Sequence, residues 1–297
     1  MRERDIWQTI LDQPEDEIVS LVIVIASAGS SPGKKGFKMV VGHQGRLAGT
    51  IGGGIMEKRI IDAIVTTPNN GHNRKQRLDH RKDSKYASGL NCSGWQEIVI
   101  ASIGPSDRNI IRKILESYQT PTSPQLSILT SGITLDQVSQ TDLLYQEVVA
   151  QPHRVYIFGG GHVGTAIAQQ LVLLDFDVTV FDPRQEILAF HHPARNYQFK
   201  SGPLVDLQRE IIEGDHTYLI ITSNSIDNDI EALRFCLQKQ VCYIGFMGSQ
   251  TKIKMAKHRL QSDLEEVHAP IGIKLPNQTP AEIAVSVAAE LITIKNS

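Results

Sequence analysis

The stretch HRVYIFGGGHVGTAIAQQLVLLDFDVTVFDPR, residues 153–184, decides the fold of this 297-residue chain. The apolar run at 155–158 predicts a strand that meets Gly159-x-Gly161-x-x-Gly164. A helix with Ile167, Leu171 and Leu174 follows, and a second strand at 178–181 ends in Asp182. The spacing has a physical logic: the first glycine permits the tight turn, the second lets backbone N–H groups approach a pyrophosphate, and the third brings helix and strand together. Asp182, 18 residues past Gly164, is placed to accept from ribose hydroxyls and to favour a ribose without a 2′-phosphate. His162, inside the turn, is read either as a phosphate contact or as a cap or surface residue.

Downstream, helical and strand patterns keep alternating: VDLQREIIE, TYLIIT, DIEALRFCLQK, VCYIGFMG, SQTKIKMAKHRLQ and the amphipathic TPAEIAVSVAAELIT. Such alternation predicts a doubly wound parallel sheet of Rossmann type over residues 151–297, with ligands beyond the carboxyl ends of the strands. The candidate positions there are Gly159–Gly164, Asp182, Thr222–Ser225 and Gly248–Ser249. The same fold also serves as a scaffold with no nucleotide, so the fold alone does not assign a function.

Residues 1–150 are expected to form a smaller α/β domain with a connecting segment. IVSLVIVIASA, FKMVVG, GRLAG and WQEIVIASIG read as strands, and DRNIIRKILESYQ as a helix. Between them RLAGTIGGGIMEKRIIDAIVTT places Thr50, Gly52, Gly53 and Gly54 at the opening of an apolar-periodic helix. A helix start of this kind suits an anion, with Lys34, Lys35 and Lys38 nearby to add charge. The plainer reading is that the glycines only permit tight strand–helix packing.

Composition narrows the classes. With 41% hydrophobic and 21% charged residues and a net charge of −2, the chain reads as a soluble globular protein with no nucleic-acid or membrane partner. Its first residues, MRERDIWQTILDQPEDE, contain no long apolar run, and a cytoplasmic location is expected. The three cysteines suit reduced thiols, with Cys236 and Cys242 expected in the core and Cys92 in a small-residue turn. Basic residues between Arg74 and Lys85 are expected to form a solvated, net positive hairpin, with docking to an acidic partner as the alternative.

Several segments together resemble the XdhC/CoxI family of xanthine dehydrogenase accessory proteins. They are Gly29-Ser30 with Pro32 and Met39, GTIGGG followed by Glu57, NCSG at 91–94, IFGGGHVG at 157–164, VFDPR at 180–184, YIGFMGS at 243–249 and APIGIKLPNQTPAEIAVSVAAEL at 269–291. The resemblance implies a protein that binds molybdenum cofactor, supports its sulfuration by a cysteine desulfurase and hands it to a xanthine dehydrogenase-type molybdoenzyme. An accessory protein that releases cargo to a dimeric enzyme is expected to act as a homodimer. On this reading Thr50 and Gly52–Gly54 cradle the pterin phosphate, and Cys92 contributes a thiolate to molybdenum. Cys92 as an ordinary loop cysteine is the alternative. The second domain would take NAD or another nucleotide at Gly159, Gly161, His162, Gly164, Asp182 and Ser249.

The chain departs from the family pattern in three places. Ile55 stands where relatives commonly carry a cysteine, Cys92-Ser93-Gly94 replaces Cys-Gly-Gly, and TSNSIDND replaces a histidine-bearing segment. An NAD(P)-dependent oxidoreductase is the alternative function, weakened by the lack of an evident acid or base on the substrate side. A molybdenum hydroxylase proper is excluded, since three cysteines cannot ligate two iron–sulfur clusters.

Overall fold

A computed structural model describes residues 2–67, 72–79, 94–136, 138, 141–190, 196–276 and 279–296. The chain divides into two compact units, Met1–Gln151 and Pro152–Ser297. The first is no smaller than the second.

The first unit contains α1 (Glu3–Leu11), β1 (Val19–Ala28), β2 (Lys38–Gly42), β3 (Gly45–Gly49), α2 (Gly54–Thr66), β4 (Arg74–Asp79), β5 (Trp95–Ile103), α3 (Arg108–Ser117), β6 (Gln125–Leu129), β7 (Gly132–Thr134) and β8 (Leu143–Val148). Its main sheet runs β3-β2-β1-β5-β4 and a smaller one runs β7-β6-β8, both with antiparallel neighbours. Side chains alternate across β1 because successive residues of a strand point to opposite faces. Leu21 and Ile23 join Trp7 and Ile10 of α1 and Ile111 and Ile114 of α3. Val22 and Val24 join Met56, Ile60 and Ile64 of α2.

Two buried cations tie down this unit. The Arg108 guanidinium donates to the carbonyls of Ile10 (3.2 Å), Gln13 (2.9 Å), Pro14 (2.5 Å) and Glu17 (3.1 Å), holding the α1–β1 connection. Lys38, expected beside a bound anion, instead pairs with Glu3 at 2.8 Å and Glu147 at 3.0 Å. The polar segment after α2 also holds a surprise, because Arg74–Asp79 forms β4 at the sheet edge. Only Leu78 and Asp79 of that strand are buried, so hydrophobic alternation is nearly invisible in its sequence. Basic side chains on an edge strand discourage pairing with another chain.

The second unit contains β9 (Arg154–Phe158), α4 (His162–Leu173), β10 (Asp177–Phe181), β11 (Gln198–Lys200), α5 (Leu204–Leu207), β12 (Gly214–Ile221), α6 (Ile226–Cys236), β13 (Val241–Phe246), α7 (Gln250–Leu260) and α8 (Pro280–Lys295). All five strands are parallel, in the order β11-β10-β9-β12-β13. The chain reverses its direction of winding between β9 and β12, which opens a crevice at their carboxyl ends. Tyr156 and Phe158 pack toward Ile230 and Leu233 of α6 and Ile253 of α7, whereas Val155 and Ile157 pack toward Ile167 and Leu171 of α4 and Val287 and Leu291 of α8.

The helix expected over VDLQREIIE is short. It ends in a 3-10 turn at Gln208–Glu210, and the Ile212 N–H donates to the Tyr156 hydroxyl at 3.2 Å. Cys236 is buried as expected, but Cys242 is exposed, because burial along β13 begins only at Tyr243.

The glycine turn itself gives a test of packing. A Cβ on Gly164 would overlap the Gly159 carbonyl oxygen, while one on Gly161 would meet nothing closer than Arg184 Nη2 at 3.9 Å. Gly164→Ala is therefore expected to destabilise the protein by about 3 kcal/mol, and Gly161→Ala by less than about 1 kcal/mol. Urea unfolding of the two variants measures the difference.

Candidate functional site

In the second unit the crevice is closed at its base by the turn after β9. Gly159 has φ +117° and sits so close to β12 that a Cβ would lie 2.7 Å from the Ser223 amide nitrogen. Only glycine tolerates both constraints. The Thr222 hydroxyl donates to the Gly159 carbonyl at 2.9 Å, and Thr165 donates to that of Gly160 at 3.0 Å. The turn is thereby fixed from β12 and from α4. Gly161 is the N-cap of α4, His162 is its exposed first residue, and Gly164 is buried against the turn.

Asp182 directly follows β10 and is 2% exposed. Its Oδ2 accepts from the Gly160 N–H at 2.7 Å and from Arg184 Nη2 at 2.8 Å. Its Oδ1 accepts from the Arg184 N–H at 3.0 Å and from Arg184 Nε at 2.9 Å. Burial works against ionisation of this carboxyl, but the bonds from Arg184 and Gly160 outweigh it and hold its pKa below the usual value.

A cavity of about 260 Å³ opens beside this knot, lined by Gly159, by Asp182-Pro183-Arg184, by residues 202–205, and by Ser223, Asn224, Asn228 and Glu231. Phe158, Phe181 and Ile221 give it apolar walls. An apolar cleft with a few convergent polar groups at a strand-order reversal is the usual form of a small-ligand site in such sheets. Gly161, His162, Gly164 and Ser249 are not among its lining residues. Ser249 caps α7, accepting from the Lys252 N–H.

The loop after β12 is held by a buried ion pair. Lys252 Nζ lies 2.5 Å from Asp229 Oδ2 and donates to the Ser223 carbonyl at 2.8 Å, and the Ser223 hydroxyl donates to Asp229 Oδ1 at 2.7 Å. Burial raises the Asp229 pKa against the opposing pull of Lys252 and Ser223. Ser225 caps α6, and Asp227 pairs with Arg259 at 2.7 Å. Most of the TSNSIDND side chains thus shape the loop.

The glycine turn of the first unit is occupied from within the chain. Glu57, in the first turn of α2, is 4% exposed. Its Oε2 accepts from the Thr50 hydroxyl at 2.5 Å, the Ile51 N–H at 2.9 Å and the Gly53 N–H at 3.0 Å, and its Oε1 from Arg46 at 2.8 Å. The Gly52 N–H goes to Thr50 Oγ1 at 3.1 Å. Gly52, Gly53 and Gly54 all have positive φ, the backbone conformation in which the Ile51 and Gly53 N–H groups converge on the carboxylate. Of the donors expected to face a pterin phosphate, Thr50 and Gly53 face Glu57 and Gly52 faces Thr50, and with that carboxylate in place the turn does not fit as a phosphate cradle. Lys34 and Lys35 are exposed. Cys92, the expected molybdenum ligand, lies outside the described residues.

Known proteins agree with the order of these features. A model of the XdhC and CoxI family matches residues 14–79, and one of the XdhC Rossmann domain matches residues 155–291. The chain belongs to the XdhC/CoxI family. Among its relatives is the Escherichia coli protein YqeB, 26% identical over 92% of this chain and 43% of its own length, so the present chain spans less than half of that protein. A Bacillus subtilis protein, named as a probable component of xanthine dehydrogenase, is 21% identical over 95% of this chain and 94% of its own. A solved structure of a protein called a xanthine dehydrogenase, from Bacillus halodurans, covers 100% of this chain and 96% of its own with a TM-score of 0.81 at 20% identity, a likeness of fold.

Within this XdhC/CoxI chain, sequence reasoning missed Arg184, the residues at 202–205, and Asn228 and Glu231 at the start of α6. Arg184 had a signal, its place two residues after the strand-end acid. Asn228 lies within TSNSIDND, and the remaining residues come from a loop and a helix turn that carry no motif.

Glu57 supplies the prediction. Burial raises its pKa, but the bonds from Thr50, Ile51 and Gly53 and the charge of Arg46 outweigh burial and lower it. A carboxyl with a lowered folded-state pKa stabilises above its unfolded value of about 4.3, and the contribution disappears as pH falls through the folded value. Glu57→Gln is expected to cost about 2 kcal/mol at pH 7. The gap to the parent should close toward pH 3, as measured by urea unfolding across pH.

Proposed function

We propose that this chain is an accessory protein for a xanthine dehydrogenase-type molybdoenzyme, binding molybdenum cofactor, supporting its sulfuration with a cysteine desulfurase and delivering it to the enzyme. Family membership supports the class. The observation that carries the binding role is the crevice at Gly159–Asp182, which has the volume and the apolar walls for a nucleoside and little means of chemistry. Its acidic lining groups are Asp182, saturated by four donors, and Glu231 at an exposed position. A hydride-transferring oxidoreductase needs a proton donor or acceptor beside its substrate. The crevice is better suited to hold a nucleotide than to turn one over.

In this reading the molybdenum is taken by Cys92, because a thiolate is a soft ligand suited to that metal. The Thr50–Gly54 turn keeps its structural carboxylate. Delivery from a homodimer in the cytoplasm would match a dimeric recipient.

Full-length protein expressed with cofactor biosynthesis active is expected to retain molybdenum and a pterin on purification, by metal analysis and mass spectrometry, and to raise the activity of a recipient dehydrogenase. Cys92→Ser is expected to lower retained molybdenum several-fold with the melting temperature unchanged. Protein free of pterin and without effect on the dehydrogenase would overturn the assignment.

A further inference from the structure

We infer that Arg184, and not Asp182, reads the ligand's ribose, so that the crevice takes a nucleotide carrying a 2′-phosphate. The inference rests on the crevice being a nucleotide site and specifies which nucleotide enters it.

An acid at the end of the second Rossmann strand usually accepts from both ribose hydroxyls, whereas an arginine there accommodates a 2′-phosphate. This chain carries both, as Asp182-Pro183-Arg184. Geometry decides between them. An ionised carboxylate has about four lone-pair directions. All are engaged here, since each oxygen of Asp182 receives two donors, from Gly160 and Arg184 on one side and from the Arg184 N–H and Nε on the other. At 2% exposed it also has almost no surface to offer. A ribose hydroxyl could bond Asp182 only by displacing the guanidinium.

Arg184 is the group that faces outward. Its side chain is 38% exposed and lines the cavity. Nε and one Nη2 proton are spent on Asp182, and its remaining N–H groups have no acceptor among the described residues. Nη2, the nitrogen that also bonds Asp182, lies 3.9 Å from where a Cβ on Gly161 would stand, which puts this side of the guanidinium beside the turn. Asp182 behind it fixes the plane of the guanidinium, so little side-chain freedom is lost when an anion binds. The other charged residues lining the cavity, Asp182 and Glu231, are acidic, as is Glu186 two residues on, and Lys252 behind Ser223 is paired with Asp229. Arg184 is therefore the cation available to a phosphate there.

The test is calorimetric titration of the full chain with NADP, NAD, 2′,5′-ADP and ADP, repeated on Arg184→Gln and Arg184→Lys. NADP is expected to bind at least tenfold tighter than NAD, and 2′,5′-ADP tighter than ADP. Arg184→Gln should abolish that preference and, by releasing Asp182, improve NAD binding, while Arg184→Lys should keep part of the preference. Retained circular dichroism and a cooperative melt certify that the variants are folded, and the wild-type ranking stands without them. NAD binding as tightly as NADP, with both weakened by Arg184→Gln, would assign Arg184 to the pyrophosphate and overturn the inference alone. Tighter binding of NAD would also overturn it alone. Failure of all four nucleotides to bind the wild-type chain would remove the inference together with the nucleotide-site reading.

Discussion

The carboxylate of Asp182 is the point on which the working edge of the second unit depends. One buried group collects the amide at the tip of the glycine turn and both the backbone N–H and the guanidinium of Arg184, joining the turn after β9 to the segment after β10. Leaving such a group buried without its partners would cost several kcal/mol, so the bonds are maintained together. The turn cannot shift without disturbing Arg184, and Arg184 cannot swing out without exposing a desolvated charge. The Lys252–Asp229 pair does the same for the opposite wall, holding the loop after β12 through Ser223.

The two units solve one problem in opposite ways. Each has a glycine-rich turn ahead of a helix, and each brings an acidic side chain to it. In the first, Glu57 reaches back from inside the helix and fills the concave side of the turn. In the second, Asp182 comes from the neighbouring strand and takes the Gly160 amide from behind, leaving the space next to Gly161 open. Two glycine signatures of similar appearance therefore differ in what they offer a ligand. The difference lies in the position of the acid relative to the turn.

The second unit was largely legible in the sequence because its strands and helices are long, regularly alternating and bounded by glycine. Gly159, Gly164 and Asp182 sit where their spacing puts them. The saturation of Asp182 was not legible, since a motif gives the position of an acid and not the number of donors around it. In the first unit β1, β2, β3, α2 and β5 follow from their apolar patterns, whereas β4 is hidden by its exposed basic residues. Lys38 illustrates the limit best. Its neighbours in sequence suggest a surface cation, and only the fold brings Glu3 and Glu147 to bury it. No helix among the described residues is long and apolar enough to cross a membrane.

The occupied turn at Thr50–Gly54 changes how that segment meets its surroundings. A carboxylate tethered seven residues from Thr50 is present at an effective concentration of the order of millimolar or higher, without any association entropy to overcome. Free phosphate in solution competes against that tethered rival and against the geometry that already satisfies Arg46. The segment is in effect self-liganded at neutral pH, and a visiting anion gains a place there only when Glu57 is withdrawn or carries a proton.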